Sequence, residues 1–210
     1  MNTTTVGGVR ITCHGHSSVS FEFGGLVIYV DPYVLPRGAK PADLILHTHG
    51  HFDHCAEAKP ILKPNTTLIA SPSCKHPGQS ISPGQSLKFG SISIQAVQAY
   101  NPSKPFHPRG IGVGYLLTFG SGPQMVRVYV AGDTDRIPEM KDYKCDVALL
   151  PIGGTYTMDM AEAAAAVAGI GCRIAIPYHY NYLSDLRLDP AEFKRLVAQS
   201  SPKTDVRILL

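Results

Sequence analysis

Residues 46–55 read Leu-His-Thr-His-Gly-His-Phe-Asp-His-Cys, and the chemistry of these side chains dominates the sequence. In an extended segment, residues two apart point the same way, so His49, His51 and Asp53 can aim at one point. His54 begins the next element and can face the same cavity from its other side. Three imidazoles and a carboxylate suit a divalent ion such as zinc, and they exceed the three protein ligands of a tetrahedral ion that keeps one position open. The stretch therefore predicts a metal site with two adjacent ions.

A simpler interpretation of the same stretch stays open. A single buried histidine is usually a hydrogen-bonded core residue, and Asp53 is also a suitable N-cap for a short helix at His54–Lys59. We favour the metal site because four such side chains fall within six residues.

Composition excludes several classes of protein. The chain has 210 residues, of which 44% are hydrophobic and 17% charged, which excludes intrinsic disorder and predicts a single domain over residues 1–210. The net charge of +3 is scattered, so no nucleic-acid partner is expected. No apolar run reaches the roughly 18 residues of a membrane span, and the first residues do not resemble a signal peptide. Five widely separated cysteines predict reduced thiols in a cytoplasmic protein.

Short apolar or alternating segments, bounded by glycine and proline, predict a mixed α/β fold with two layers of sheet. Two helices are predicted, one at Met160–Ala168 behind an Asp159/Glu162 capping box and one from Asp189 to about Gln199. A polar loop is predicted at Ser71–Gly84. The predicted strands are Val9–Cys13, Val19–Phe23, Leu26–Val30, Leu44–Leu46, Thr67–Ala70, Leu87–Phe89, Ile92–Val97, Gly112–Phe119, Met125–Ala131, Val147–Pro151, Arg173–Pro177 and Val206–Leu210.

The motif Thr48-His49-Gly50-His51-Phe52-Asp53-His54 resembles the T-H-x-H-x-D-H signature of the metallo-β-lactamase superfamily. Two later landmarks follow in the order of that superfamily: Asp133 comes after the strand Met125–Ala131, and His179 comes after the strand Arg173–Pro177. Upstream, Gly15-His16-Ser17-Ser18 and Asp31-Pro32 resemble the branch of ascorbate-6-phosphate lactonase-like metal-dependent hydrolases. The resemblance runs from about residue 10 to residue 182.

The resemblance implies a four-layer αββα sandwich with metal ions at one edge, held by loops that follow the strands. It implies two ions per chain, with zinc expected and manganese or nickel as alternatives. The first ion would be held by His49, His51 and a third histidine, and the second by Asp53, His54 and His179. Asp133 would bridge them. The candidate catalytic residues are Asp53, His54 and Asp133.

The third histidine of the first site is His107 or His76. His107 lies just before the strand Gly112–Phe119, which resembles the place where this branch carries a histidine. His76 lies in the polar loop beside Lys75 and reads as solvent-exposed. We favour His107, with a loop residue near the substrate as the alternative role for it.

Several further residues are candidates for supporting roles. Asp31 ends a strand in the same half and can accept a hydrogen bond from a ligand histidine, or it is a turn residue before Pro32. His16 is a candidate for contact with the substrate or with a ligand. Arg109, Lys104 and Tyr156 are candidates for binding an anionic group, and Arg109 lies nearest to His107 in sequence.

The expected activity is hydrolysis of an ester, lactone or phosphoester in a small, anionic substrate by a metal-activated hydroxide. The alternative is a mononuclear iron dioxygenase of the same superfamily that acts on a thiol and uses His49, His107 and Asp133. A non-enzymatic metal-binding module is a third interpretation, which the complete ligand set disfavours. The sequence predicts no membrane partner and leaves a homo-oligomer open.

Overall fold

Apolar strands separated by glycine turns build two seven-stranded sheets in the computed structural model, which describes residues 2–56, 58–75, 78–183 and 187–210. The first sheet contains β1 (Thr3–Val6), β2 (Val9–Gly15), β3 (Ser18–Phe23), β4 (Leu26–Val30), β5 (Leu44–His47), β6 (Thr67–Ala70) and β7 (Gln79–Ser80). The second sheet contains β8 (Ser86–Phe89), β9 (Ile92–Ala99), β10 (Gly112–Phe119), β11 (Val126–Val130), β12 (Val147–Pro151), β13 (Ile174–Tyr178) and β14 (Asp205–Val206).

Both sheets have the same topology, and each is built by one half of the chain. In the first sheet β1 to β4 pair antiparallel and β4 to β7 pair parallel. In the second sheet β8 to β11 pair antiparallel and β11 to β14 pair parallel. Parallel strands place their carboxyl ends at one edge, where ligands commonly bind in such sheets. Asp31 follows β4, residues 48–54 follow β5, Asp133 follows β11 and His179 follows β13, so the topology collects them at this edge.

The space between the sheets is filled by apolar side chains from the inward faces of the strands. Phe21 of the first sheet meets Phe119 of the second with ring centroids 5.5 Å apart. Leu46 and Val130, which lead into the site loops, are fully buried in the same core. Burying a side chain of this size contributes roughly 1.5–3 kcal/mol each, which anchors the strand ends that carry the site.

Two α-helices cover the outer face of the second sheet. α1 (Met160–Ile170) begins at the predicted capping box and ends at Gly171, whose φ of 72° permits the left-handed turn that stops the helix. α2 (Pro190–Ser200) begins at the N-cap Asp189. The outer face of the first sheet is covered instead by the 3-10 helix Lys59–Ile61 and irregular segments. The other 3-10 helices among the described residues are Pro72–Cys74, Gly122–Gln124 and Pro138–Asp142.

The predicted mixed α/β fold with two central sheets is confirmed, and the strand positions differ mainly at the ends of the chain. β1 was not predicted, because its threonines carry no alternation of apolar and polar residues. The predicted strand Val206–Leu210 is reduced to β14, and the predicted loop Ser71–Gly84 contains the 3-10 helix Pro72–Cys74 and β7. Among the described residues, no helix is long and apolar enough to cross a membrane.

Candidate metal centre

Three imidazoles converge on one point at the carboxyl edge of the sheets. Nε2 of His49 lies 3.0 Å from Nδ1 of His51, and Nε2 of His107 lies 3.2 Å from the same Nδ1 atom. We call His49, His51 and His107 the first histidine group. His107 is therefore the third imidazole among the described residues, while the alternative, His76, lies outside them.

Hydrogen bonds behind two of these rings fix which nitrogen faces the group. Asn101 Oδ1 accepts from both the backbone N–H and Nδ1 of His107, at 3.0 and 2.7 Å. The hydroxyl of Thr48 lies 3.0 Å from Nδ1 of His49 and donates to Asp31, so it accepts from the ring. Both rings thus carry their proton at Nδ1 and turn an Nε2 lone pair toward His51. Such partners behind a ligand histidine set its tautomer and orientation.

The loop of residues 48–54 is turned rather than extended, and this corrects the expected grouping of Asp53. His54 and Cys55 both donate their backbone N–H to the carbonyl of His51, at 3.0 and 2.9 Å. The turn sends Asp53 away from His49 and His51, so the two-residue parity argued from sequence does not apply. Gly50 lets the loop approach the 3-10 helix Pro72–Cys74, because a Cβ there would lie 2.3 Å from the carbonyl oxygen of Ser73.

A second group contains His16, Asp53, His54 and His179, whose candidate ligand atoms all lie within 4.8 Å of one another. Nε2 of His16 lies 2.8 Å from Oδ2 of Asp53 and donates a hydrogen bond to it. The rings of His16 and His179 lie 4.0 Å apart between centroids. We call these four residues the second group. The sequence predicted three of its members as ligands and His16 as a contact residue.

Asp133 lies between the two groups. Its Oδ2 atom is 3.3 Å from Nε2 of His107 and 3.2 Å from Nε2 of His179, and its Oδ1 atom is 3.4 Å from Nε2 of His54. The preceding Gly132 has a φ of 67°, and a Cβ there would lie 2.9 Å from the carbonyl oxygen of Val113. Glycine therefore permits the close approach that brings Asp133 to this central position.

Asp31 accepts hydrogen bonds from residues of the His-rich loop. Its carboxylate accepts from Nδ1 of His54 at 2.7 Å, and from the backbone and hydroxyl of Thr48 at 2.8 and 2.6 Å. All three donors come from the His-rich loop, so one buried carboxylate orients the loop and directs Nε2 of His54 toward the centre. Asp31 also fills the alternative role of a turn residue before Pro32, since its φ is 47°.

The electrostatics of the site favour a bound cation. Burial lowers the pKa of His49 well below its usual value, and it also lowers the pKa of His107. Burial alone would lower the pKa of His54 too, but Asp133 and Asp31 raise it to about 9. Burial would raise the pKa of Asp133, yet His179 and His54 hold it well below its usual range. The centre thus combines the ionised Asp133 with two imidazoles, His49 and His107, whose lowered pKa favours the neutral form that binds divalent ions.

The buried polar atoms that lack partners test whether a metal fits. Among the described residues, Nε2 of His54, Nε2 of His179 and Oδ1 of Asp133 are buried without a hydrogen-bond partner. In the first histidine group, the Nε2 atoms of His49 and His107 both face Nδ1 of His51, which carries at most one proton and cannot fully satisfy both. Unsatisfied polar atoms of this kind are costly in a folded protein. Their donor set of nitrogen and carboxylate oxygen fits zinc and similar ions.

Backbone strain is concentrated at the same place. Among the described residues, five that are not glycine have a positive φ, namely His16, Asp31, Lys75, His179 and Asn181. Each costs roughly 1–3 kcal/mol, and such residues cluster at functional sites. All but Lys75 belong to the metal centre, support it or line the cavity above it.

A cavity of about 450 Å³ opens onto both groups, a size typical of small-molecule sites. Tyr156 and His16 line it, as their predicted roles in substrate contact require. The described lining comprises His16, His51, Phe52, Asp53, Phe106, His107, Asp133, Gly153, Thr155, Tyr156, Thr157, His179, Tyr180, Asn181, Tyr182, Leu183 and Leu188.

The two basic candidates differ from the sequence-based expectation. Arg109 is not among the described lining residues; its guanidinium pairs with Glu139 and lies 4.7 Å from the ring centroid of Tyr100. Lys104 is likewise absent from this lining, and its ammonium donates to Asp135 at 2.7 Å and to the carbonyl of Thr157 at 2.6 Å. Arg109 and Lys104 lie near His107 in sequence, but this proximity does not show that their side chains bind Glu139 and Asp135.

Sequence reasoning missed Asn101 and the cavity walls. Asn101 lies six residues before His107, but nothing in the sequence shows that its amide returns to the ring. Phe52 could have been singled out from sequence, because it lies between His51 and Asp53 inside the predicted metal motif. Phe106 could have been singled out in the same way, because it directly precedes the candidate ligand His107.

Two seven-stranded sheets that carry two groups of His and Asp residues at one edge are typical of metal-binding proteins with the metallo-β-lactamase fold. Residues 10–179 match the family model described as a beta-lactamase superfamily domain. This match covers most of the chain, and the chain therefore belongs to the metallo-β-lactamase superfamily. The narrower ascorbate-6-phosphate lactonase-like branch stays a prediction.

Similar proteins cover nearly the full chain. A UPF0173 metal-dependent hydrolase of Thermoplasma acidophilum is 37% identical over 90% of this chain and 90% of its own length. One from Aeropyrum pernix is 35% identical over 95% of this chain and 94% of its own. The crystal structure of a Parabacteroides distasonis protein has 34% identity and a TM-score of 0.85, with 98% of this chain and 96% of that chain covered.

Proposed function

We propose that this protein is a metal-dependent hydrolase with two divalent ions, and that it cleaves an ester, lactone or phosphoester bond in a small molecule. The observation that carries the proposal is the position of Asp133, within 3.2–3.4 Å of ring nitrogens from both groups. The relatives described as metal-dependent hydrolases support it.

The residues would divide between two ions. His49, His51 and His107 would hold the first, and the second group would supply Asp53, His54 and His179 to the other. Asp133 would bridge them. Zinc suits this donor set best, with manganese or nickel as alternatives. When bound, the ions lower the pKa of water toward neutrality and stabilise negative charge that develops on a carbonyl or phosphoryl oxygen.

The chain's own groups prepare this chemistry. His16 donates a hydrogen bond to Oδ2 of Asp53 at 2.8 Å and so holds that carboxylate in one orientation. Asp31 accepts a hydrogen bond from Nδ1 of His54, and Oδ1 of Asn101 accepts one from Nδ1 of His107, so each fixes the orientation of its ring. Side chains that are oriented before substrate arrives need no rearrangement during the reaction, which is the main source of electrostatic catalysis.

The anionic substrate expected from the sequence would have to be bound by the metal ions. None of the described residues that line the cavity is lysine or arginine. A lactone or ester without a separate charged group fits these walls, and a phosphoester fits where its phosphoryl group lies at the ions.

A mononuclear iron dioxygenase is the second candidate. His107 lies 3.3 Å from Asp133, and each of the two lies near His49, so a two-histidine, one-carboxylate set exists within the larger centre. The second group argues against it, because Nε2 of His54 and Nε2 of His179 would remain buried without a partner.

Metal removal and reconstitution test the proposal. We expect chelator-treated protein to lose hydrolysis of 4-nitrophenyl acetate or bis(4-nitrophenyl) phosphate, and zinc or manganese to restore it. His49→Ala should not recover, whereas the matched control His14→Ala should, since His14 bonds to Ser20 outside the centre. Hydrolysis that survives complete metal removal contradicts the proposal, and thiol-dependent oxygen uptake with one iron per chain supports the dioxygenase.

A further inference from the structure

The walls of the cavity above the metal centre are apolar and aromatic. Among the described residues, eight large hydrophobic side chains are exposed, and five of them line this cavity: Phe52, Phe106, Tyr156, Tyr182 and Leu183. Contiguous exposed apolar surface of this kind marks a binding site for an apolar partner or ligand. Its position over the metal centre means that whatever reaches the metals must pass these side chains.

The aromatic side chains form two walls. On one side Phe106 and Tyr156 meet edge to face, with ring centroids 4.7 Å apart at 78°. On the other side Tyr33 contacts both Phe52 and Tyr182, at 5.8 and 6.1 Å between centroids. Tyr182 also lies 5.6 Å from the ring of His16, so this second wall reaches the second group.

The first wall is held from behind by the rest of the protein. Asn101 donates its amide to the carbonyl of Tyr156 at 3.1 Å, and Lys104 donates to the carbonyl of Thr157 at 2.6 Å. Asn101 also binds His107, so the same side chain positions a candidate metal ligand and the wall. A wall fixed in this way is preformed for its ligand, which reduces the entropic cost of binding.

The cavity lining also contains uncharged hydroxyl groups, and one of them is buried without a partner. Thr157 is fully buried, and its Oγ1 atom has no hydrogen-bond partner although the residue lines the cavity. A buried hydroxyl without a partner is uncommon, and this one is available to a carbonyl or ether oxygen of a ligand. The nearby basic side chains form ion pairs with other residues, since Lys104 pairs with Asp135 and Arg109 with Glu139. The described lining thus offers aromatic surface and a few uncharged hydroxyl groups, and it contains no lysine or arginine.

We propose that the substrate carries an uncharged apolar group, an aryl ring or a short alkyl chain, that binds between the two walls while its scissile bond lies at the metal centre. This inference rests on the proposed hydrolase function and narrows its substrate to apolar esters and lactones. Phe106 and Tyr156 are the residues that determine this specificity. A phosphorylated or multiply charged substrate of the same reaction class would meet no complementary side chain there.

Binding to the metal-free protein tests the walls without any catalysis. We expect chelator-treated protein to bind 1-naphthol, an uncharged probe followed by its fluorescence. Phe106→Ala and Tyr156→Ala should each weaken binding by about tenfold, on the scale of losing one aromatic contact. Met125→Ala is the matched control, because Met125 is equally exposed and is not among the described lining residues. Equal affinity in wild type and both wall variants overturns the inference.

Kinetics with the metal-loaded enzyme tests the substrate class. For γ-lactones with alkyl chains of increasing length, we expect kcat/KM to rise by about two- to fourfold per methylene until the cavity is filled. 6-Phosphogluconolactone should be a poorer substrate, and Phe106→Lys should shift the preference toward it while Phe106→Leu keeps the wild-type order. A preference for the phosphorylated lactone in wild type overturns the inference but leaves the hydrolase function standing. Naphthol binding at the walls with no hydrolysis of any lactone or ester upholds the apolar site and contradicts the hydrolase function.

Discussion

The carboxylate of Asp31 holds His54 by a hydrogen bond of 2.7 Å from the ring nitrogen Nδ1. The bond leaves Nε2 of His54 to face the metal centre. Asp31 follows β4 and His54 lies in the loop after the neighbouring parallel strand β5, so the pairing of these strands brings the two residues together.

We predict that Asp31→Asn weakens binding of the second metal ion by about 10- to 100-fold, the range found when a partner behind a ligand is removed. Asparagine keeps the shape and tolerates the positive φ of this position, so the loss reports the charge and the hydrogen bond. Competition with a chromophoric chelator measures the affinity. Asp142→Asn, at an exposed position, is the control, and an unchanged affinity in Asp31→Asn would show that His54 needs no such support.

We predict that Asn101→Ala weakens the first metal site by a similar factor of about 10 to 100. The reason is that Nδ1 of His107 loses its acceptor and the ring can rotate away from His51. The control is Asn65→Ala, which removes an exposed amide. Calorimetric titration with zinc measures the effect, and two unaltered binding steps would refute the role of Asn101.

The sequence could predict that the candidate ligands lie close together, because each follows an apolar strand or lies in one short motif. It could not predict Asn101 or Thr157, since their roles depend on contacts across segments far apart in the chain. It grouped Asp53 with His49 and His51 by the geometry of an extended strand, but a turn stabilised by the carbonyl of His51 reverses the chain there. It also could not predict that Arg109 pairs with Glu139, which lies thirty residues further along the chain.

Two glycines should respond to alanine with opposite signs. Gly50→Ala should destabilise the protein by about 1–3 kcal/mol, because its Cβ would lie 2.3 Å from backbone oxygen of Ser73. Gly169→Ala in α1 should stabilise it by about 0.5–1 kcal/mol, since that position has open space and a helical backbone. Urea denaturation of both variants measures the free energy of unfolding. A stabilised Gly50→Ala would mean that the His-rich loop does not pack as described.

We predict that His179→Ala keeps about one metal ion per chain and hydrolyses substrate at least roughly 10²-fold more slowly, as expected for loss of one electrostatic stabiliser. Only the second group loses an imidazole, so the first histidine group stays intact. Metal counting and steady-state kinetics on the same preparation measure both effects, with His14→Ala as the control. Normal activity with two ions bound would exclude His179 as a ligand.

The number of metal ions per chain, counted by elemental analysis after zinc titration of metal-free protein, tests the two-ion centre most directly. We predict two equivalents for the wild type and a loss of affinity at both sites in Asp133→Asn, because that side chain lies between the groups. A single equivalent in the wild type, left unchanged by Asp133→Asn, would contradict the account.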